Sequence, residues 1–273
     1  QDLMGPAAAQ SGIEGGSQIA RATQALEGRV LRSAEQVVLV SPAFQPYAMA
    51  AGVSPPRVRV VPNWSHVGRP ARDRRAVRRE LGWGDDEFVA LHSGNMGLKQ
   101  GLENLVETAR RAPANVRIVL MGDGSQRASL ERLGAGLPAL QFLPPADSAD
   151  FPDVLAAADV LVVNERSSAV DMSLPSKLTS YFGAAVPVLA AVPASGGTAA
   201  EVSRSGGGLL VSPEDPQAFI DALCRLKARP DLRVALGETG RLHALAHLSK
   251  TASLTKLWAA LVTAMETAAG QNG

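Results

Sequence analysis

The feature that most constrains this chain is a recurring form. From residue 88 onward, short apolar runs return at 88–93, 117–121 ("RIVLM"), 139–143, 160–164 ("VLVVN"), 186–191 and 207–211 ("GGLLV"). Each is followed by a Gly, Pro or Ser loop and then a stretch whose apolar residues recur at helical spacing. Runs without polar alternation suit strands buried on both faces, and a helix after every strand leaves the strands parallel. The expected fold is therefore α/β, a doubly wound, mainly parallel sheet. Ligands of such sheets sit outside the carboxyl ends of the strands, so the loops there are the first place to look for chemistry.

Ahead of this pattern, 18–34 reads as a helix, 36–41 as a strand, 47–51 as a short helix and 57–64 as a second strand. The proline- and arginine-rich stretch at 65–79 reads as a linker. The expected division is thus 1–64, a linker at 65–79, a main domain at 80–250, and a helix with a tail at 251–273. A first residue of Gln1, inside "QDLMGPAAAQSG", leads to the expectation that the chain is part of a longer one.

A hydrophobic content of 46%, a charged content of 19% and a net charge of +1 over 273 residues argue against bulk nucleic-acid binding. The basic run "RPARDRRAVRR", 69–79, reads as a solvated helix face or as a phosphate- or membrane-surface contact. A single cysteine, Cys224, leaves no internal disulfide framework, and its apolar helical surroundings place it in the core. No run of about 18 apolar residues is present to span a membrane.

The stretch "FVALHSGNMGLKQGLENLVETA" joins a strand to a helix. Gly94 and Gly97 let backbone N–H groups approach a ligand, the helix that follows turns its positive end to the same place, and Lys99 adds a charge. In "MGDGSQR", Gly122 and Gly124 form a tight turn that could also line a ligand. Arg127 stands where a dinucleotide fingerprint would have its third glycine. In "DMSLPSKLTSYFGAAVPVLAA", Pro175 can open a helix with Ser176 and Lys177 in its first turn. A lysine there opposes the helix dipole, an arrangement that an anionic ligand would relieve; the plain alternative is a surface lysine. His243 and His247 stand four apart without a third ligand, which reads as a packed or solvated pair. His92 ends a strand and either touches a ligand or is satisfied internally. No Walker loop, nucleophile elbow or Cys-x-x-Cys pair occurs.

Taken in order, "SGNMGLKQGLE", "GDG", "QFLPPADSADFPDVLAAADVLVV", "LPSKLTSYFGAAVPVLA" and "SGGGLLVSPEDPQAF" resemble the carboxyl-terminal half of GT-B glycosyltransferases of family 4, in particular the colanic acid and exopolysaccharide biosynthesis type. The resemblance runs over 34–265; the combination is specific, and no single motif is. It implies a GT-B fold: a Rossmann-like donor domain plus the remnant of a second Rossmann-like domain on the acceptor side, within 1–64. It also implies a nucleoside diphosphate sugar as donor. The loop from Gly94 to Lys99, including Asn95 and Gly97, would face the diphosphate, with Lys99 at the family's phosphate-binding lysine. Phe142 would offer backbone groups to the base, and Leu174, Pro175 and Ser176 would lie near the sugar and ribose. Lys99 and Lys177 are the candidate catalytic residues. Gly94, Asn95, Gly97, Gly122, Gly124, Phe142, Leu174, Pro175 and Ser176 are the candidate binding residues.

Two departures from the family pattern stand out. The pair of glutamates eight residues apart is replaced by Met172 and Ser180, and the arginine that accompanies the phosphate lysine gives way to Asn95 and Met96. Helix N-termini and lysines can stabilise a leaving diphosphate without metal, so no metal and no cofactor is expected. The resemblance implies retention of anomeric configuration, a glycan or lipid-linked acceptor, no nucleic-acid partner, and a cytoplasmic protein with peripheral contact at the inner face of the membrane. A nucleotide-sugar 2-epimerase of the same fold and a non-catalytic nucleotide-binding domain are the alternatives.

Overall fold

The structure, a computed structural model, describes residues 16–168 and 176–271. The chain divides into two compact units. The smaller holds the described residues up to Trp64 and those from His247 on. In it, α1 (Gly16–Ser33) precedes β1 (Val37–Leu39), α2 (Gln45–Ala50) and β2 (Val58–Val60), and the two strands pair in parallel. Val37, Leu39, Phe44, Ala48, Val53 and Val58 form its core. The last helix, Lys250–Gln271, belongs to the same unit, where buried Ser253 donates its hydroxyl to the Pro62 carbonyl at 2.8 Å.

Of the described residues, the larger unit holds 65–168 and 176–246. It opens with α3 (Arg74–Glu80) and then alternates: β3 (Phe88–Ser93), α4 (Glu103–Arg110), β4 (Val116–Met121), α5 (Arg127–Leu133), β5 (Leu140–Leu143) and α6 (Phe151–Ala157). It continues with β6 (Val160–Asn164), α7 (Ser176–Gly183), β7 (Val188–Ala191), α8 (Gly197–Ser205), β8 (Gly208–Val211), α9 (Pro216–Ala228) and α10, which begins at Pro230 and runs to His247. The six strands are parallel in the order β5-β4-β3-β6-β7-β8. Counted from β3, that is the 3-2-1-4-5-6 order of doubly wound nucleotide-binding sheets, whose connections reverse direction between β3 and β6.

Burial explains why these runs are apolar throughout. On one face, Phe88, Ala90, Ile118, Leu120, Val160, Val162 and Leu189 pack with Leu102, Leu105 and Val106 around α4 and with Phe219, Leu223 and Leu226 of α9. The alternate residues Val89, Leu91, Val119, Leu161, Val163, Val188 and Ala190 are buried as well, so both faces are covered. Each such side chain contributes about 1.5–3 kcal/mol, which makes this sheet the framework on which the loops are held.

Three expectations change. The stretch 65–79 is not simply a linker, because most of α3 lies in it and packs into the larger unit. Within its basic run, Arg78 is buried and donates to the carbonyls of Ala157 (2.9 Å) and Gly84 (2.8 Å) and to Asp159 (3.1 Å), while Arg74 pairs with Asp159 at 2.9 Å. Those charges hold α3 against the turn between α6 and β6, a use that periodicity alone does not show. Cys224 is exposed rather than buried: the buried face of α9 carries Phe219, Ile220, Ala222, Leu223 and Leu226, and Cys224 lies just off it.

Candidate functional site

The loops after β3 and β4 are fitted into each other. A Cβ on Gly122 would fall 1.9 Å from the Gly94 carbonyl oxygen, and one on Gly124 would fall 2.6 Å from Asn95 Oδ1 and 2.7 Å from the Met96 nitrogen. Only glycine fits either position, and the φ values of +140° and +151° independently favour it. Backbone bonds complete the brace: Met96 N donates to Asp123 O at 2.8 Å and Gln126 N to Met96 O at 2.9 Å. The Met96 side chain is fully buried in the core below. Asn95 reaches back over its own loop, since a Cβ on Gly97 would meet its Nδ2 at 2.9 Å. Arg127 closes the far side by donating to the carbonyls of Gly122 and, at 3.0 Å, Leu143, so it ties the ends of β4 and β5 together.

Lys177 enters this arrangement from α7. Four residues on, and so on the same helical face, the buried Tyr181 hydroxyl accepts from Ser93 N at 2.8 Å and lies 3.1 Å from Ser93 Oγ. Anchoring Tyr181 at the last residue of β3 brings Lys177 over the next residue, Gly94, where a Cβ would lie 3.9 Å from its Nζ. The φ of +118° at Gly94 and its missing side chain keep that approach open. Burial lowers the Lys177 amine to about 8, against the opposing attraction of the Glu165 carboxylate. Burial also pushes the Tyr181 phenol up to about 12, so it remains a neutral hydroxyl.

His92 lies beneath the same lysine and is wholly buried. Backbone groups of Val162 and Asn95 face the ring. Burial first and the Lys177 charge second hold it well below its ordinary range, hence neutral. It is held inside the unit rather than at its surface. His243 is packed: its Nε2 lies 2.8 Å from Glu201 Oε1. Among the described residues no group of three or more His, Cys, Asp or Glu side chains gathers in a way that could hold a metal ion.

Lys99 sits in a one-turn 3₁₀ segment, Leu98–Gln100, rather than in the helix itself, which begins at Glu103. It is exposed, as is Ser176 at the start of α7. Phe142 lies on β5, the edge strand beside β4, with its ring partly buried against the core. Leu174 and Pro175 lie outside the described residues. The structure therefore brings Gly94, Asn95, Gly97, Gly122, Gly124 and Lys177 to one place at the carboxyl ends of β3 and β4, with Lys99 on the adjoining turn.

The sequence reading passed over the residues that end β6. Asn164 is buried, and its Nδ2 donates to the carbonyls of Gln100 (2.7 Å) and Gly101 (3.0 Å). Glu165 is buried and accepts from Thr198 Oγ1 at 2.7 Å. Arg166 donates its Nε to Leu98 O at 2.7 Å and pairs with Glu103 at 2.8 Å. The available signal was three polar residues, "NER", directly after an apolar strand at the point where the strand order reverses.

Comparison with known proteins gives the chain a family and a fold type. A family model described as glycosyl transferases group 1 matches residues 87–229. An Escherichia coli protein named as a colanic acid biosynthesis glycosyl transferase, WcaI, is 34% identical over 172 residues, which is 60% of this chain and 42% of that protein. A D-inositol 3-phosphate glycosyltransferase of Xylanimonas cellulosilytica is 28% identical over 85% of this chain and 55% of its own length. The crystal structure of Anabaena Alr3699/HepE in complex with UDP-glucose superposes with a TM-score of 0.75 at 20% identity, covering 92% of this chain and 68% of that one. The fold is thus of the GT-B type, and the chain spans about half the length of the curated relatives it matches.

Proposed function

Since the chain belongs to the group 1 glycosyltransferases, we propose that its larger unit holds a nucleoside diphosphate sugar and serves transfer of the sugar to a glycan or lipid-linked acceptor in the synthesis of an exopolysaccharide or other cell-surface polysaccharide. The observation that carries this reading is the Lys177 amine poised over Gly94, among interlocked glycine loops at the carboxyl end of the sheet, next to the strand-order reversal. Burial lowers the amine to about 8, so near neutral pH it is still an ammonium but a poorly solvated one, and a diphosphate supplies the negative charge that would offset that cost. The relatives' names support a sugar-transfer role, and the UDP-glucose bound to HepE supports a nucleotide sugar as donor.

In the proposed reaction an acceptor hydroxyl oxygen bonds to the anomeric carbon as the bond from that carbon to the β-phosphate oxygen breaks. The hydroxyl proton passes to the leaving phosphate, and configuration is retained. Lys177 and Lys99 meet the charge that develops on the diphosphate, in a role that requires no divalent cation. We place the protein in the cytoplasm, at the inner face of the membrane where lipid-linked acceptors are found. No helix among the described residues is long and apolar enough to cross a membrane.

Calorimetric titration with UDP, GDP and ADP, with and without EDTA, tests the donor side. Micromolar or tighter binding of one of them, unchanged by EDTA, is the expected result. Failure of all three to bind would overturn the reading.

A further inference from the structure

We propose that Asn164, Glu165 and Arg166 act as one positioning unit for both lysines: the outer two residues hold the turn that carries Lys99, and the middle one is the fixed counter-charge of Lys177. This rests on the reading of Lys99 and Lys177 as the diphosphate-binding cations.

The geometry begins with alternation along an extended chain. Glu165 N donates to Ala191 O at 3.0 Å, which carries the register of β6 against β7 one residue past the strand. Successive side chains there leave on opposite faces, so Asn164 and Arg166 share one side and Glu165 takes the other. On the first side, four consecutive carbonyls are taken by donors of this tripeptide. Leu98 O accepts from Arg166 Nε (2.7 Å), Lys99 O from Arg166 N (3.0 Å), and Gln100 O and Gly101 O from Asn164 Nδ2 (2.7 and 3.0 Å). The clamp is itself held: Asn104 Nδ2 donates to Asn164 Oδ1 at 2.8 Å, and Glu103 pairs with Arg166. Gly101, at φ +55°, leaves no room for a side chain, since a Cβ there would fall 2.7 Å from Arg166 Cγ. With its carbonyls drawn toward β6, the turn has one orientation.

On the second side, Thr198 is fully buried and fixes one oxygen of Glu165 at 2.7 Å. Among the described residues, Glu165 after β6 attracts the Lys177 ammonium, the same ammonium helps to keep His92 of β3 neutral, and Tyr181 shares the lysine's helix face. Glu165 is therefore the charge that opposes the effect of burial on the amine. Three adjacent residues thus bear on two cations, one on the Leu98–Gln100 turn and one on α7.

Two ligand-free measurements decide the inference. In protein made with isotope-labelled lysine, the side-chain titration of Lys177 is followed by NMR. Glu165→Gln is expected to lower its midpoint by about one unit, as loss of an attracting carboxylate should; Glu165→Asp, which keeps the charge, should stay closer to the wild type. Hydrogen exchange of the amides of Gln100, Gly101 and Asn104, each bonded within the turn, is expected to quicken at least about tenfold in Arg166→Ala, whose site is surface-accessible enough to leave the fold intact. An unmoved Lys177 midpoint in Glu165→Gln, or unmoved exchange in Arg166→Ala, would overturn the proposal. UDP, GDP and ADP titrations of the same proteins separate it from the functional reading. A wild type that binds none of them sinks that reading, while both ligand-free results still stand or fall alone. A wild type that binds, with variants of equal affinity, removes the tripeptide from ligand positioning.

Discussion

At the scale of single residues, the site trades stability for a poised charge. Lys177 titrates at about 8 in the folded protein, below the 10.5 of a free lysine. The sign follows from proton counts. Between those values the unfolded chain holds more protons than the folded one, so stability rises as pH climbs through that window, and below about 8 the folded state bears the full cost of a half-buried ammonium. Lys177→Gln is accordingly expected to raise the melting temperature of the nucleotide-free protein at neutral pH while weakening nucleoside diphosphate binding by about 1.5–3 kcal/mol. Differential scanning calorimetry and titration calorimetry on one preparation check both halves; a lower melting temperature would show that the lysine is not strained. In the wild type, affinity should fall as pH rises above about 8, where the free protein loses the ammonium. The glycines invite a sharper contrast. Gly122→Ala forces a Cβ to within 1.9 Å of a backbone oxygen and should cost more than about 3 kcal/mol, because the neighbour is not a movable side chain. Gly136→Ala, at φ +74° with nothing within 4 Å, should cost only the backbone term of about 1–2 kcal/mol. Equal midpoints in urea for the two variants would disprove the interlocked-loop account.

At the scale of elements, α7 is the part that converts a fold into a site. Its Tyr181 is hydrogen-bonded to Ser93 at the end of β3, and one turn earlier it carries Lys177. Tyr181→Phe removes the acceptor of the buried Ser93 N–H and should destabilise by about 1–3 kcal/mol. Because the anchor also sets where Lys177 lies, nucleoside diphosphate affinity should fall with it; denaturant melts beside binding isotherms would show whether the two losses travel together. The elements themselves were largely legible in the sequence, because strands buried on both faces, such as β3, β4 and β6, must be apolar along most of their length. The glycine pairs at 94/97 and 122/124 were legible too, as loops. What periodicity cannot report is partnership at long range. Nothing local says that Gly122 is required by Gly94, that Tyr181 meets Ser93, or that Arg78 crosses to Asp159. "NER" was overlooked for the same reason: its partners, Leu98 to Gly101 and Thr198, are far away in sequence and meet it only through the strand order.

At the scale of the whole molecule, the division of labour follows from what each part can bury. The larger unit has a six-stranded sheet whose four central strands are covered on both faces, and all the described candidate groups lie in it. The smaller has two three-residue strands, and it leaves Leu26, Val30, Leu254, Trp258, Leu261 and Met265 exposed at 41% or more of their surface. The relatives this chain matches are about twice the length it spans in them. Transfer needs more than a held leaving group: an acceptor hydroxyl must stand within near-attack distance of the anomeric carbon, and such positioning supplies as much as about 7–11 kcal/mol of the barrier. The groups described here can account for the donor side of that requirement through Lys177, the interlocked loops and the Lys99 turn. The roles proposed for them all concern the donor. We therefore expect these 273 residues, expressed alone, to fold around the larger unit and bind a nucleoside diphosphate, yet to give at most slow hydrolysis of the sugar nucleotide. Incubation with radiolabelled sugar nucleotides and glycan or lipid-linked acceptors, with binding measured on the same sample, provides the check. Efficient acceptor glycosylation by this chain alone would show that the acceptor is positioned by residues already present in it, and the division of labour drawn from the two units would have to be abandoned.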